Sequence, residues 1–174
     1  MTGKIFRNSM LVGISVFLCS VVLFLGMLYD YFNHQMMKQL ENESWLVVQG
    51  MERLGASYLE GVHSNNRITW IDEDGQVLFD NAADVSTMEN HAEREEVLQA
   101  MEDGSGSAER YSNTLAQKTL YAAKRLGDGS VIRLASAQST VFSLLITIIE
   151  PVMCILLAAL LLSLLLAPRL SKQL

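Results

Sequence analysis

The stretch Arg67-Ile68-Thr69-Trp70-Ile71-Asp72-Glu73-Asp74-Gly75-Gln76-Val77-Leu78-Phe79-Asp80 reads as a β-hairpin. Its arms, Arg67 to Asp72 and Gln76 to Asp80, are rich in β-branched and aromatic residues, and Asp74-Gly75 is a turn pair because glycine takes a positive φ without strain. A hairpin cannot bury its apolar side alone, so partners are needed on both flanks. Downstream, Ala92 to Glu102 predicts a short helix stopped by Gly104-Ser105-Gly106-Ser107, with Asn90 as its cap. Three further strands are predicted over Ala108 to Leu115, Thr119 to Leu126 and Ser130 to Ser136. They are joined by hairpin-length connections, Ala116-Gln117-Lys118 and Gly127-Asp128-Gly129.

Upstream, from about Asn33 to Val62, the spacing predicts one long helix. Met37, Leu40, Val47, Met51, Leu54 and Tyr58 recur at steps of three and four, with only Ser44 breaking the register. Glu41, Glu43, Glu52 and Arg53 fall off this stripe, as solvent-facing residues should. The stripe can pack on its own domain's sheet or, in part, on a second subunit. A long helix, a hairpin, a short helix and a three-strand meander give an α/β domain with a five-stranded antiparallel sheet.

Both ends of the chain are apolar. Half of the residues are hydrophobic and 18% are charged, and the hydrophobic ones gather in two runs. Met10 to Tyr29 is free of charge, and at about 1.5 Å per residue it covers the roughly 30 Å hydrocarbon core of a bilayer. Ser139 to Ala167 is interrupted only by Glu150. Lys4 and Arg7 precede the first run and Arg169 and Lys172 follow the second, a pattern that places both termini in the cytoplasm. The expected organisation is a cytoplasmic N-terminus over 1–9, a transmembrane helix over 10–31, an extracytoplasmic domain over 32–139, a second transmembrane helix over 140–167 and the start of a cytoplasmic linker over 168–174.

The first run is too long for the core of a cleaved signal, and Gly26-Met27-Leu28-Tyr29-Asp30 offers no small-x-small cleavage site. Residues 30–138 carry nine Lys or Arg against eighteen Asp or Glu. So acidic a domain argues against nucleic acid as a partner. Cys19 and Cys154 both fall in the apolar runs, so neither is placed to staple the outer domain by a disulfide.

In the second run Glu150-Pro151 admits two readings. If the helix starts near Thr140, Pro151 removes a backbone donor in its interior and kinks it, marking a signalling hinge with Glu150 in apolar surroundings. Alternatively the spanning helix begins at Pro151, a favoured first position, with Glu150 at the outer interface.

The hairpin sequence from Ile68 to Asp80, followed by Met88-Glu89-Asn90-His91, resembles the sensor half of bacterial histidine kinases of the phosphate-regulon (PhoR) type. Gly104-Ser105-Gly106, Arg110-Tyr111-Ser112, Thr114-Leu115, Tyr121-Ala122 and Asp128-Gly129-Ser130-Val131-Ile132-Arg133 follow in the order that family shows, and the resemblance covers about residues 10 to 172. It implies a PAS-like Cache (PDC-type) sensor domain between two transmembrane helices, a homodimer in the bacterial cell membrane, and a cytoplasmic response regulator as partner. It also implies a histidine kinase region that uses ATP and Mg. That region is missing here, since the chain reaches Leu174 with the second run only just complete. Glu95, where the family often has proline after the arginine of Asn-His-x-x-Arg, and Pro168, where a basic residue is usual, depart from the pattern. A chemoreceptor or a cyclic-dinucleotide enzyme can carry the same kind of module, and a stand-alone membrane scaffold is a third possibility.

No catalytic residue, metal site or cofactor is expected in this chain. His34, His63 and His91 are the only histidines and all lie outside the membrane on this topology, away from cytoplasmic ATP. There is no glycine-rich ATP motif, no nucleophile elbow and no Cys/His set with metal spacing. The residues to search for a ligand pocket are His91, Arg94, Arg110, Tyr111, Tyr121 and Arg133, because arginines placed near aromatics can hold a small anion. Against that, Arg94 can pair with an acid on its own helix, and the strand residues can be cross-strand partners.

Overall fold

The computed structural model describes residues 2–112, 117–137, 146–155 and 157–158. The chain divides into two units, residues 1–30 with 140–174, and residues 31–139. The elements are α1 (Thr2–Leu54), α2 (Ser57–Gly61), β1 (Arg67–Ile71), β2 (Val77–Asp80), a 3-10 turn (Val85–Thr87), α3 (Glu95–Asp103), β3 (Ser105–Ser112), β4 (Gln117–Arg125) and β5 (Val131–Ala137).

In the first unit, α1 carries side chains such as Phe17, Leu23, Phe24 and Met27 exposed. An 18-residue window of this part has a mean hydropathy of 2.7, so by length and composition it can cross a membrane. The second apolar run is described as helix over Ile146–Ile155. Pro151 therefore lies inside a helix and not at its first position. Apart from residues 157–158, the remainder of that run lies outside the described residues, as does Pro168.

The second unit is the α/β domain. Its sheet is antiparallel, in the order β2-β1-β5-β4-β3. The hairpin expected from the sequence is present, with Gly75 at φ 82° and its amide donating to the Asp72 carbonyl at 3.1 Å. Between Trp70 and Ile71 the β1–β2 register slips, so Ile71 faces Val77. Strand β5 sits centrally, pairing Thr69 with Arg133 on one side and Ala123 with Arg133 on the other.

The second part of α1 covers one face of the sheet. Leu40, Val47, Val48 and Met51 pack with Ile68, Leu120, Ala122, Ile132 and Leu134, and Met37 and Tyr58 pack against this cluster. Three expectations fail here. Leu54 is 65% exposed, because the helix ends there and not at Val62. Gly55, at φ 67°, turns the chain back, and its amide donates to the Met51 carbonyl at 2.8 Å. Ser44, which seemed to break the stripe, is buried within it, its hydroxyl donating to the Glu41 carbonyl at 2.7 Å.

The other face is covered in part by α3, whose Val97 and Ala100 pack on Ile71, Ala123 and Val131. Helix α3 begins at Glu95, later than expected, because Arg94 is still extended at ψ 130°. Asn90 does not cap it: its amide donates to the Asp74 carbonyl and its side-chain oxygen accepts from the Ala92 amide, tying this segment to the hairpin turn. Strand β3 starts directly after Gly104, so Ser105 to Ser107 are strand and not linker, and Gln117 and Lys118 belong to β4 rather than to a turn. Residues 113–116 lie outside the described part.

Candidate functional site

Strand alternation puts Thr69 on β1, Arg133 and Ala135 on β5, Thr119, Tyr121 and Ala123 on β4, and Ala108 and Arg110 on β3 on the face away from α1. Most of that row would suit an apolar core. Arg110 and Arg133 do not, and both turn toward one carboxylate that the sequence reading missed. Glu96, its side chain fully buried, accepts from Arg110 Nη2 at 2.7 Å and from Arg133 Nε at 2.7 Å, and Arg110 Nη1 closes a second bond to Oε2. Both guanidiniums also lie against the Tyr121 ring, at 4.3 Å and 4.2 Å from its centre.

The approach of α3 that brings Glu96 here depends on Gly106. A Cβ at that position would collide with the Glu96 carbonyl and lie 2.6 Å from Gln99 Cβ, so only glycine lets the helix lie this close to β3.

Burial alone would push the Glu96 carboxyl up, but the Arg110 hydrogen bonds and the Arg133 charge together hold it below its ordinary value. Arg110 is raised in return, by its bond to Glu96. Arg133 moves the other way, since burial pulls it down against the pull of Glu96. A guanidinium nevertheless stays charged at any physiological pH. Two cations therefore share one anion.

A neighbouring corner is formed by β1, β2 and the segment leading into α3. Arg67 Nε donates to Asp80 at 2.9 Å, and Thr69 Oγ1 donates to the same carboxylate at 2.7 Å. His91 is 8% exposed, and its amide donates to the Gly75 carbonyl at 2.8 Å. Burial first, then the charges of Arg133, Arg94 and Arg67, lower its pKa to about 4, so the ring is neutral at pH 7. Its Nδ1 is buried without a hydrogen-bond partner among the described residues.

Of the six residues singled out in the sequence, Arg110, Tyr121 and Arg133 thus meet directly around Glu96, and the charges of Arg133 and Arg94 both act on His91. Arg94 is half-buried at the start of α3 and makes no ion pair among the described residues. Tyr111 is on β3, paired with Lys118, and its side chain lies outside the described part. A signal for Glu96 was available: it stands one residue before Val97 and one turn before Ala100, in phase with the buried side of α3. Among the described residues no group of three or more His, Cys, Asp or Glu is placed to hold a metal ion.

The sequence matches no protein-family model and no curated protein. Among solved structures, the chain is distantly similar to the extracellular domain of a protein described as a histidine kinase, rpHK1S-Z16. The identity is 16% and the TM-score 0.40, over 51% of this chain. The chain spans 38% of the length of that structure.

Proposed function

We propose that this chain is the sensing portion of a bacterial membrane receptor of the two-component type. In this reading residues 32–139 form a PAS-like Cache domain outside the membrane, both termini are cytoplasmic, and the output is a histidine kinase region that uses ATP and Mg and signals to a response regulator. The receptor acts as a homodimer. The observation that carries the reading is the continuity of α1: the uncharged segment Met10 to Tyr29 and the buried stripe from Leu40 to Met51 belong to one 53-residue helix. A rearrangement of the sheet on that stripe acts on the same helix that crosses the bilayer. Glu150-Pro151, inside the second helix, is the candidate hinge on the return path, since proline there withholds a backbone donor.

The test is accessibility. In intact cells a membrane-impermeant thiol reagent is expected to modify a cysteine placed at Asn66 and to spare one placed at Thr2, in a background with Cys19 and Cys154 replaced. Labelling at Thr2 with protection at Asn66 removes the receptor reading.

A further inference from the structure

On the α1 side of the sheet, along strand β3, lies an open cleft of about 510 Å³. Helix α1 supplies Glu41, Asn42 and Trp45 to it, β3 supplies Ser105 and Ser107, and β4 supplies Lys124. Strand alternation fixes the side: Ser107 pairs with Ala122, which packs in the α1-facing core, and Ser105 pairs with Lys124 two positions further along. The cleft reaches round the edge of β3 as far as Gln99 on α3, and neither Glu96 nor the arginines bound to it line it. Its size falls within the range of about 300 to 1,000 Å³ usual for small-molecule sites.

The side chains of this cleft are not used by the fold. Trp70, one of the chain's two tryptophans, donates from Nε1 to the Ser130 hydroxyl at 2.9 Å. Trp45, the other, is 47% exposed, and its indole has no partner among the described residues. The side chains of Asn42, Ser105 and Ser107 make no hydrogen bond among the described residues either. Glu41 and Lys124 form no ion pair there, and their opposite charges cancel, so the cleft favours neither an anion nor a cation. Glu41 is exposed and Lys124 half-buried, and charges so close to water discriminate weakly. An added peptide strand would lack a donor at Ser107, whose amide already donates to Gln99 Oε1 at 3.1 Å. What remains is an aromatic plate bordered by neutral donors and acceptors.

We propose that this cleft binds a neutral sugar, a mono- or disaccharide, with a pyranose ring laid on Trp45 and its hydroxyls met by Asn42, Ser105 and Ser107. A pyranose presents a face of C–H groups that suits an indole, and its hydroxyls both donate and accept, as amides and serine hydroxyls do. Gln99 holds the far wall, tied to the Ser107 amide by its oxygen and to Glu95 by its nitrogen at 3.4 Å. The ligand touches α1 and β3 at once. Binding itself does not rest on the receptor reading. Its consequence does, since a ligand seated there acts on the same helix that continues into the apolar segment.

The experiment uses the full chain at pH 7 in dodecylphosphocholine, a detergent without a sugar headgroup, with tryptophan labelled by nitrogen-15. D-glucose, N-acetyl-D-glucosamine and maltose are titrated separately, with L-glutamine as a zwitterionic control. Of the two indole signals, the one lost in Trp45→Phe is expected to shift saturably with at least one of these sugars, while the Trp70 signal stays in place. By calorimetry, Trp45→Ala is expected to weaken binding of that sugar about tenfold. Its melting temperature should be unchanged, since nearly half of the residue is in water. Trp45→Phe, which keeps an aromatic plate, is expected to weaken binding less. The proposal is overturned if none of the sugars moves the Trp45 signal, if glutamine alone moves it, or if Trp45→Ala binds as tightly as the native chain. Sugar binding together with the reversed cysteine labelling keeps the site and removes the receptor, whereas the expected labelling without sugar binding does the opposite.

Discussion

The two faces of the sheet are covered in different ways. Toward α1, Ile68, Leu120, Ala122, Ile132 and Leu134 meet an apolar helix stripe, and the cohesion is that of a close-packed core. Toward α3, the sheet presents Thr69, Arg133, Thr119, Tyr121 and Arg110, with both arginines bound to Glu96. Removing charges from water costs several kcal/mol per ion, a cost that their mutual attraction only about offsets. The first face therefore supplies stability, and the second supplies a particular geometry at little net gain.

The largest expected effect breaks the first face. Leu134→Asp places a carboxylate at a fully buried position with no cation beside it, at a cost of about 5 kcal/mol or more, enough to unfold a domain of ordinary stability. Loss of the cooperative thermal transition of residues 31–139 is the expected outcome. A folded Leu134→Asp chain means that the α1 face is not the core.

The second effect tests the charged face. Glu96→Gln leaves the buried Arg133 and the half-buried Arg110 without a carboxylate and is expected to cost about 3 to 5 kcal/mol. Replacing Glu96, Arg110 and Arg133 together by Met, Met and Leu sharpens the comparison, because removing the whole set should be close to neutral in denaturant unfolding. If the triple variant loses as much as Glu96→Gln, the network is itself a source of stability and the contrast between the faces is wrong.

Why one face was legible and the other was not follows from how each is encoded. The apolar face is written as periodicity, at steps of two along β1, β4 and β5 and of three and four along α1, so its strands and most of its stripe could be read directly. Leu54 was misread because the stripe continues past the point where Gly55 turns the chain, and periodicity alone does not say where a helix stops. Ser44 was misread because a hydroxyl bonded to its own helix backbone packs like an apolar group. The charged face has no period. Arg110 and Arg133 stand on different strands, and their joint partner Glu96 lies on a helix, so the cluster exists only after β5 is placed between β1 and β4. The arginines and Tyr121 could be suspected by type, whereas Glu96, one acid among many, could not be distinguished without attention to its phase with Val97 and Ala100.

Acid separates the faces without mutation. His91, at about 4 when folded against an ordinary 6.5, is neutral in the native domain, so the unfolded chain takes up its proton first as pH falls. Stability from this group is full above pH 6.5 and is lost progressively down to pH 4, by roughly 3 kcal/mol in total. Glu96, held below 4.5, contributes stability that is present above that value and lost as pH falls through its lower folded value, so its loss follows that of His91. Melting temperature should therefore decline between pH 6.5 and 4, and His91→Gln should flatten that part of the profile. An unchanged profile in His91→Gln would show that the ring is not held neutral by burial and its arginine neighbours.

The smallest expected effect locates the edge of the apolar face. Met51 and Leu54 are one helical turn apart and look equivalent in the sequence, yet Met51 is buried and Leu54 is 65% exposed. Leu54→Lys therefore puts its charge in water and removes little packing, and Glu52→Lys, at an exposed neighbour, does the same. Each should change stability by less than about 0.5 kcal/mol, the usual size of a surface substitution. Met51→Lys, in contrast, drives an ammonium among Val47, Val48 and Leu126 and should destabilise clearly. If α1 transmits the state of the sheet to the membrane, the same division should appear in the output of a full-length receptor. Met51→Lys should fix the output whatever the stimulus, while Leu54→Lys and Glu52→Lys remain responsive. A Leu54→Lys receptor locked in one state, with the domain still stable, would show that the exposed end of α1 meets a partner, and the transmitting surface would then extend past Gly55.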